Sequence, residues 1–166
     1  MTVAIRNQQR LHKVRVARLK NLAQQVLDLL AVGRDEPPAR PKSAGAPAGR
    51  PYRKQSSYNL SLVLVDDAGI RKLNRDFHDT DAPTDVLAFD YGDGELEVIV
   101  NVERAVKVAE RYRNTASQEL ALYVVHGILH LHGCDDLTPV KRRAMRRAER
   151  EHLAKLKRES AGLFAR

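Results

Sequence analysis

A helical segment that is apolar on almost every face constrains the fold of this chain more than any other part of it. The segment opens near Ser117 and, from Leu120 onward, carries His126 and His130 among Val124, Val125, Ile128, Leu129 and Leu131. A helix that is apolar all round is buried, so the rest of the chain must pack around this one. Two imidazole rings in that environment need polar partners, because burying an unpaired polar group is costly.

The spacing of the two histidines is that of metal ligands on one helix. Side chains four residues apart lie one above the other on the same helix face, so the rings of His126 and His130 can approach a single ion. Neutral imidazole nitrogen is a good ligand for zinc and related divalent ions. The pair therefore predicts a metal site.

The turn after the helix offers a third ligand. Gly133 ends the helix and is followed at once by Cys134, Asp135 and Asp136. A carboxylate on the returning chain completes a set of three protein ligands and leaves the fourth zinc position to water, the pattern of catalytic zinc. We select Asp136, with Asp135 and Cys134 as alternatives, and we expect His132 on another helix face to be no ligand.

The remaining patterns predict one α+β domain across residues 1–166, with a small mixed sheet packed with helices. The metal site would lie on the central buried helix and the loop after it. We predict strands at 3–6, 60–65, 86–91 and 95–100, the last two joined by a hairpin turn at 92–94. We predict further helices at 11–31, from Asp66 or Asp67 through Asn74, at 102–112, and from Thr138-Pro139 to about Arg158.

One segment does not fit a packed domain. Residues 33–55 are rich in basic side chains and glycine and contain Pro37, Pro38, Pro41, Pro47 and Pro51. That composition buries too little apolar surface to order itself, so we expect a mobile insertion. An arm that contacts RNA is the alternative interpretation.

Net charge indicates which class of partner the chain binds, and cysteine content indicates the cellular compartment. Lys and Arg number 29 against 21 Asp and Glu, a net charge of +8 that favours a polyanion such as nucleic acid. The single cysteine excludes an internal disulfide and fits a reducing compartment. No segment approaches the roughly 20 apolar residues of a membrane span, and the N-terminus lacks a signal-peptide core. We expect a cytoplasmic protein with no membrane partner.

Two motifs, in the right order, resemble those of the YbeY family of bacterial rRNA maturation endoribonucleases. Residues 126–136 are similar to H-G-x-L-H-L-x-G-Y-D-H, and residues 73–89 to L-N-x-x-Y-R-x-x-D-x-P-T-D-V-L-S-F. The likeness extends over residues 58–158. The resemblance implies a zinc-dependent enzyme with one α+β domain that cuts single-stranded RNA, matures 16S rRNA and takes part in ribosome quality control.

The chain departs from these motifs at three positions that bear on chemistry. The family's third metal-binding histidine falls on Asp136, its tyrosine on Cys134, and its phosphate-holding arginine on His78. Aspartate is a zinc ligand, but its negative charge makes bound water a weaker acid. The imidazole of His78 can contact a phosphate or pass a proton without the fixed charge of arginine. We therefore name His78 as a candidate catalytic residue.

These observations predict metal-assisted cleavage of RNA. A zinc ion, or another divalent ion, would be held by His126, His130 and Asp136, and the ribosome with its 16S rRNA would be the partner. The alternative is a ribosome- or RNA-associated metal-binding factor with weakened or lost nuclease activity, which histidine at position 78 would favour. A zinc protease is disfavoured, because Gly127 stands where that class has its glutamate base.

Overall fold

Within the part of the chain that the structure describes, four strands form one mixed sheet. The computed structural model describes residues 2–31 and 58–165, so the insertion expected at 33–55 lies outside the described residues. The strands are β1 (Thr2–Asn7), β2 (Asn59–Val65), β3 (Val86–Gly92) and β4 (Glu95–Asn101), in the order β1-β2-β4-β3. β1, β2 and β4 run parallel, and β3 pairs antiparallel with β4.

The described residues also form five helices: α1 (Val16–Ala31), α2 (Asp67–His78), α3 (Val102–Tyr112), α4 (Ala116–Leu131) and α5 (Pro139–Lys155). The first four contact the sheet, and α5 packs on α4. The α+β prediction is confirmed, with every predicted strand present. No helix within 2–31 or 58–165 combines the length and apolar character that crossing a bilayer requires.

Two predicted helix boundaries are wrong. α1 begins at Val16 rather than at residue 11, since the preceding residues form an irregular segment in which the Gln9 side chain bonds both the backbone NH and the carbonyl of His12. Val14 instead forms an antiparallel bridge with Phe164, and Leu11 is 60% exposed. α5 ends at Lys155, three residues before the predicted end. The helical spacing of Leu11 and Val14 did not reveal these long-range pairings.

Polar caps fix where α2 and α5 begin. The carboxylate of Asp66 accepts a hydrogen bond from the Gly69 NH at 2.8 Å, so Asp66 rather than Asp67 is the N-cap of α2. Thr138 caps α5, and Pro139 occupies its first turn, as predicted.

Strand alternation divides the apolar side chains between the two faces of the sheet. One face carries the larger core, to which α1, α4 and α5 contribute. The opposite face carries a smaller core of Val63, Val65, Ile70, Leu87 and Ile99, covered by α2. α4 is thus the central helix of the main core, as its all-round apolar sequence predicts.

Gly127 allows α4 to lie close to the sheet. A Cβ atom at this position would lie 2.7 Å from a methyl of Val98 and 2.8 Å from a methyl of Val86. Those separations are shorter than packed carbon atoms tolerate, so only glycine permits this approach to β3 and β4. The glycine between the two histidines therefore sets how deep they sit.

Candidate metal centre

The structure brings His126, His130 and Asp136 together. The Nε2 atoms of the two imidazoles lie 2.9 Å apart, and their rings are nearly perpendicular. The Asp136 carboxylate lies 4.0 Å from Nε2 of His130, and the three potential ligand atoms all lie within 4.8 Å of one another. Ligands on one tetrahedral zinc ion are separated by about 3.3 Å, given bonds of about 2.0–2.1 Å. The three side chains therefore fit one ion with small adjustments.

The other ring nitrogen of each histidine already has an acceptor. Nδ1 of His126 donates to the Glu149 carboxylate at 2.6 Å, and Nδ1 of His130 donates to the backbone carbonyl of Cys134 at 3.0 Å. Such partners fix the tautomer that leaves a lone pair on Nε2. When both Nε2 atoms are unprotonated, their lone pairs face each other at 2.9 Å, an arrangement that a cation between them stabilises.

The other possible metal ligands near Asp136 do not join the cluster. The Asp135 carboxylate lies 2.7 Å from Nζ of Lys141 and accepts from the Leu137 NH. The Cys134 sulfur is not among the clustered ligand atoms of the described residues, and Nδ1 of His132 bonds the Ile128 carbonyl. Among the three neighbours after Gly133, the geometry favours Asp136.

His78 lies away from the cluster. It is the last residue of α2 and is exposed, and its ring stacks on that of Phe89 with centroids 6.3 Å apart. Phe89 packs against the smaller core, on the sheet face opposite α4. No contact within the described ranges joins His78 to the three clustered residues, so its catalytic role stays a prediction.

A pocket of about 440 Å³ opens on the cluster. It is lined by His126, Asp136 and Glu149, together with Asp85, Leu122, Tyr123, Arg142, Met145 and Arg146. Sequence reasoning missed Glu149, Asp85 and Tyr123. Asp85 lies inside the second motif, but nothing in its local sequence assigns it to the pocket. Glu149 is one of several charged residues on α5, and only the crossing of α4 and α5 singles it out.

The pocket perturbs the acidity of its groups. Burial opposes the charged form of His126, but the hydrogen bond and charge of Glu149 outweigh burial and raise the pKa of His126. Burial and the neighbouring His126 lower the pKa of His130. Burial, reinforced by Asp85, raises the pKa of the Tyr123 hydroxyl. Metal binding must displace any proton on Nε2 of His126.

Glu149 has a testable positioning role. We expect Glu149→Gln to weaken metal binding about 10–100-fold, the usual effect of removing a carboxylate behind a ligating imidazole. Competition with a chromophoric chelator measures the affinity. Glu151→Gln is the matched control, because Glu151 lies on the same helix, is exposed and forms an ion pair with Arg147 rather than with a histidine. Equal affinities for Glu149→Gln and the unmodified chain would contradict the role.

Comparisons with known proteins connect this geometry to a family. A family model described as endoribonuclease YbeY matches residues 45–157. An endoribonuclease YbeY of Pelotomaculum thermopropionicum is 40% identical over 108 residues, which cover 58% of this chain and 71% of the relative. One from Desulfitobacterium hafniense is 42% identical over 104 residues, covering 54% and 66% respectively. The matched region contains α4, the loop after it and α5.

A solved structure supports the fold independently of these sequence matches. The solution structure of a Thermotoga maritima protein resembles this chain with a TM-score of 0.55 and covers 95% of this chain and 93% of its own. The two sequences are 22% identical, so the likeness concerns the arrangement of helices and strands alone.

Proposed function

Because this chain belongs to the YbeY endoribonuclease family, we propose that it hydrolyses phosphodiester bonds of single-stranded RNA in a metal-dependent reaction. The convergence of the two Nε2 atoms, 2.9 Å apart, with the Asp136 carboxylate is the observation that carries this proposal. Each histidine already donates its Nδ1 proton to an acceptor, so the cluster is prepared for a cation.

The residues of the cluster have distinct roles in this proposal. His126, His130 and Asp136 hold the ion, while Glu149 and the Cys134 carbonyl orient the two rings. A bound divalent ion supplies Lewis acidity, which polarises a phosphoryl oxygen or lowers the pKa of water. Tyr123, whose hydroxyl is protonated at neutral pH, offers a hydrogen-bond donor to a substrate oxygen. The pocket above the cluster is where the scissile phosphate would bind.

We further propose zinc as the ion, since two imidazoles and one carboxylate are a donor set that zinc accepts. The family resemblance supports 16S rRNA maturation and ribosome quality control as the cellular role, in the cytoplasm. The net charge of +8 supports an RNA partner, because basic side chains bind the phosphate backbone. His78 is retained as a proposed phosphate contact on the resemblance alone.

The third ligand is tested by four substitutions at three positions in the turn after α4. We expect Asp136→Asn to lose most of its bound metal, because a neutral amide is a far weaker ligand than a carboxylate. Asp136→His keeps the metal, because imidazole is an equally good ligand. Elemental analysis of protein purified without chelator measures the metal bound per chain.

Asp135→Asn and Cys134→Ser are the matched controls and should retain the metal, because neither side chain belongs to the described cluster. Metal lost from either control, with Asp136→Asn still loaded, would show that the third ligand was wrongly chosen.

The activity itself is tested by offering the metal-loaded protein a labelled single-stranded RNA and the same RNA annealed to its complement. The proposal predicts cleavage of the single strand and little cleavage of the duplex. Stoichiometric metal without cleavage of either RNA would instead favour the ribosome- or RNA-associated factor that has lost nuclease activity.

A further inference from the structure

Two arginines of α5 border the same pocket as the metal cluster. Arg142 and Arg146 are four residues apart, so their side chains leave the helix on one face. Both line the pocket together with His126 and Asp136. Between them in sequence, the side chain of Met145 is 2% exposed and belongs to the main core, which seats this part of α5 firmly.

These two guanidinium groups are available to a ligand. Neither forms an ion pair or a side-chain hydrogen bond with any residue in the described parts of the chain, 2–31 and 58–165. Their neighbours on α5 differ, since Lys141 pairs with Asp135 at 2.7 Å and Arg147 lies 3.9 Å from Glu151. Arg142 and Arg146 are thus unpaired arginines that line the pocket, whereas Arg143 and Arg150, also without an ion pair among the described residues, do not line it.

The charge of the pocket explains why cations are needed there. Three carboxylates line it, those of Asp85, Asp136 and Glu149. Their combined charge exceeds that of one divalent ion, so ion and carboxylates alone would leave the pocket negative and repel a phosphodiester. The positive charges of the two guanidinium groups make the net charge of the pocket with its ion positive. A site with this composition can attract an anion to the metal.

We propose that Arg142 and Arg146 form a phosphate-binding pair that holds an RNA phosphodiester beside the metal cluster. The inference rests on the proposed function and adds the residues that bind its substrate. Guanidinium groups suit this task, because their fixed charge and planar fork match two oxygens of one phosphate. The pair binds the substrate and is separate from the residues that hold the ion.

Binding of a cleavage-resistant RNA tests the pair. The probe is a fluorescein-labelled 2′-O-methyl RNA oligonucleotide, followed by fluorescence anisotropy with the metal-loaded protein at several salt concentrations. We expect the double variant R142Q/R146Q to bind about tenfold more weakly. The slope of log affinity against log salt should fall by about 0.7, the value for one phosphate contact on a single strand. Metal content should stay unchanged.

The matched control is R143Q/R150Q, which removes the same charge from the same helix at two exposed positions that do not line the pocket. Its affinity should fall less than threefold. Equal losses in the two double variants would overturn the pair and leave a general basic surface.

The results also separate this inference from the proposed function. Suppose that the unmodified chain cleaves no RNA, and that R142Q/R146Q binds the oligonucleotide more weakly while R143Q/R150Q does not. That result would uphold the phosphate-binding pair and reject the nuclease. Normal metal-dependent cleavage and binding by R142Q/R146Q would reject the pair and leave the nuclease intact. Failure of the unmodified chain to bind the oligonucleotide would reject the pair as well.

Discussion

His126→Ala is expected to leave the chain folded but unable to retain a divalent ion, and to slow RNA cleavage by about 10²–10⁴-fold. The imidazole supplies one of three converging ligand atoms, and its Nε2 lies 2.9 Å from that of His130. A metal ion contributes several kcal/mol to catalysis of this kind, and each 1.4 kcal/mol is about tenfold in rate. Elemental analysis and cleavage of a labelled single-stranded RNA measure the two losses.

His132→Ala is the matched control for this experiment. His132 follows the same helix, but its Nδ1 bonds the Ile128 carbonyl and its ring is outside the cluster. We expect its metal content and cleavage rate to equal those of the unmodified chain. Circular dichroism checks that both variants fold. One equivalent of metal and an unchanged rate in His126→Ala would contradict the assigned site.

Gly127→Val is expected to lower the free energy of unfolding by about 2–3 kcal/mol, the cost of forcing extra methyl groups into a packed core. Even the first added carbon would lie 2.7 Å from Val98 and 2.8 Å from Val86. These overlaps are relieved only if α4 moves away from the sheet, and that movement disturbs the histidines on either side of position 127. For a domain of this size the loss is a large share of its stability. Urea denaturation followed by circular dichroism measures it.

Ala154→Val supplies the control for adding a branched side chain to a helix. Ala154 is exposed on α5, so only the helix propensity changes there, by less than about 1 kcal/mol. A Gly127→Val variant as stable as this control would show that α4 does not approach β3 and β4 as closely as described.

The central helix and its histidine pair are the part of the molecule that local sequence predicts well. Apolar side chains on nearly every face require burial, and spacing of four residues requires that His126 and His130 share a face. Both consequences are local to one helix. The sheet is also predicted, since its strands are short runs of branched and aromatic residues separated by turn residues.

What the sequence did not reveal depends on contacts between distant segments. Val14 pairs with Phe164, and Glu149 reaches His126 from 23 positions further along the chain. Periodicity gives no indication of such partners, because it describes one element at a time. The same limit applies to Arg142 and Arg146, which line the pocket although the sequence alone does not distinguish them from the other basic residues of α5.

His78 illustrates what alignment to a motif leaves open. The motif places it where the resembled family has an arginine, whereas the ring here stacks on Phe89, on the sheet face opposite α4. Alternation along β3 decides that face, since Val86 joins the main core and Leu87 the smaller one. The position of a residue in a motif therefore does not by itself place it in the pocket.

Return of zinc to the metal-free protein is the most direct test of a metal-dependent nuclease. Protein stripped by chelator and freed of it is titrated with zinc while cleavage of a labelled single-stranded RNA is followed. We expect negligible cleavage at the start and a rate that rises in proportion to added zinc up to one equivalent per chain. Cleavage by the stripped protein at the full rate, with no response to zinc, would contradict metal dependence.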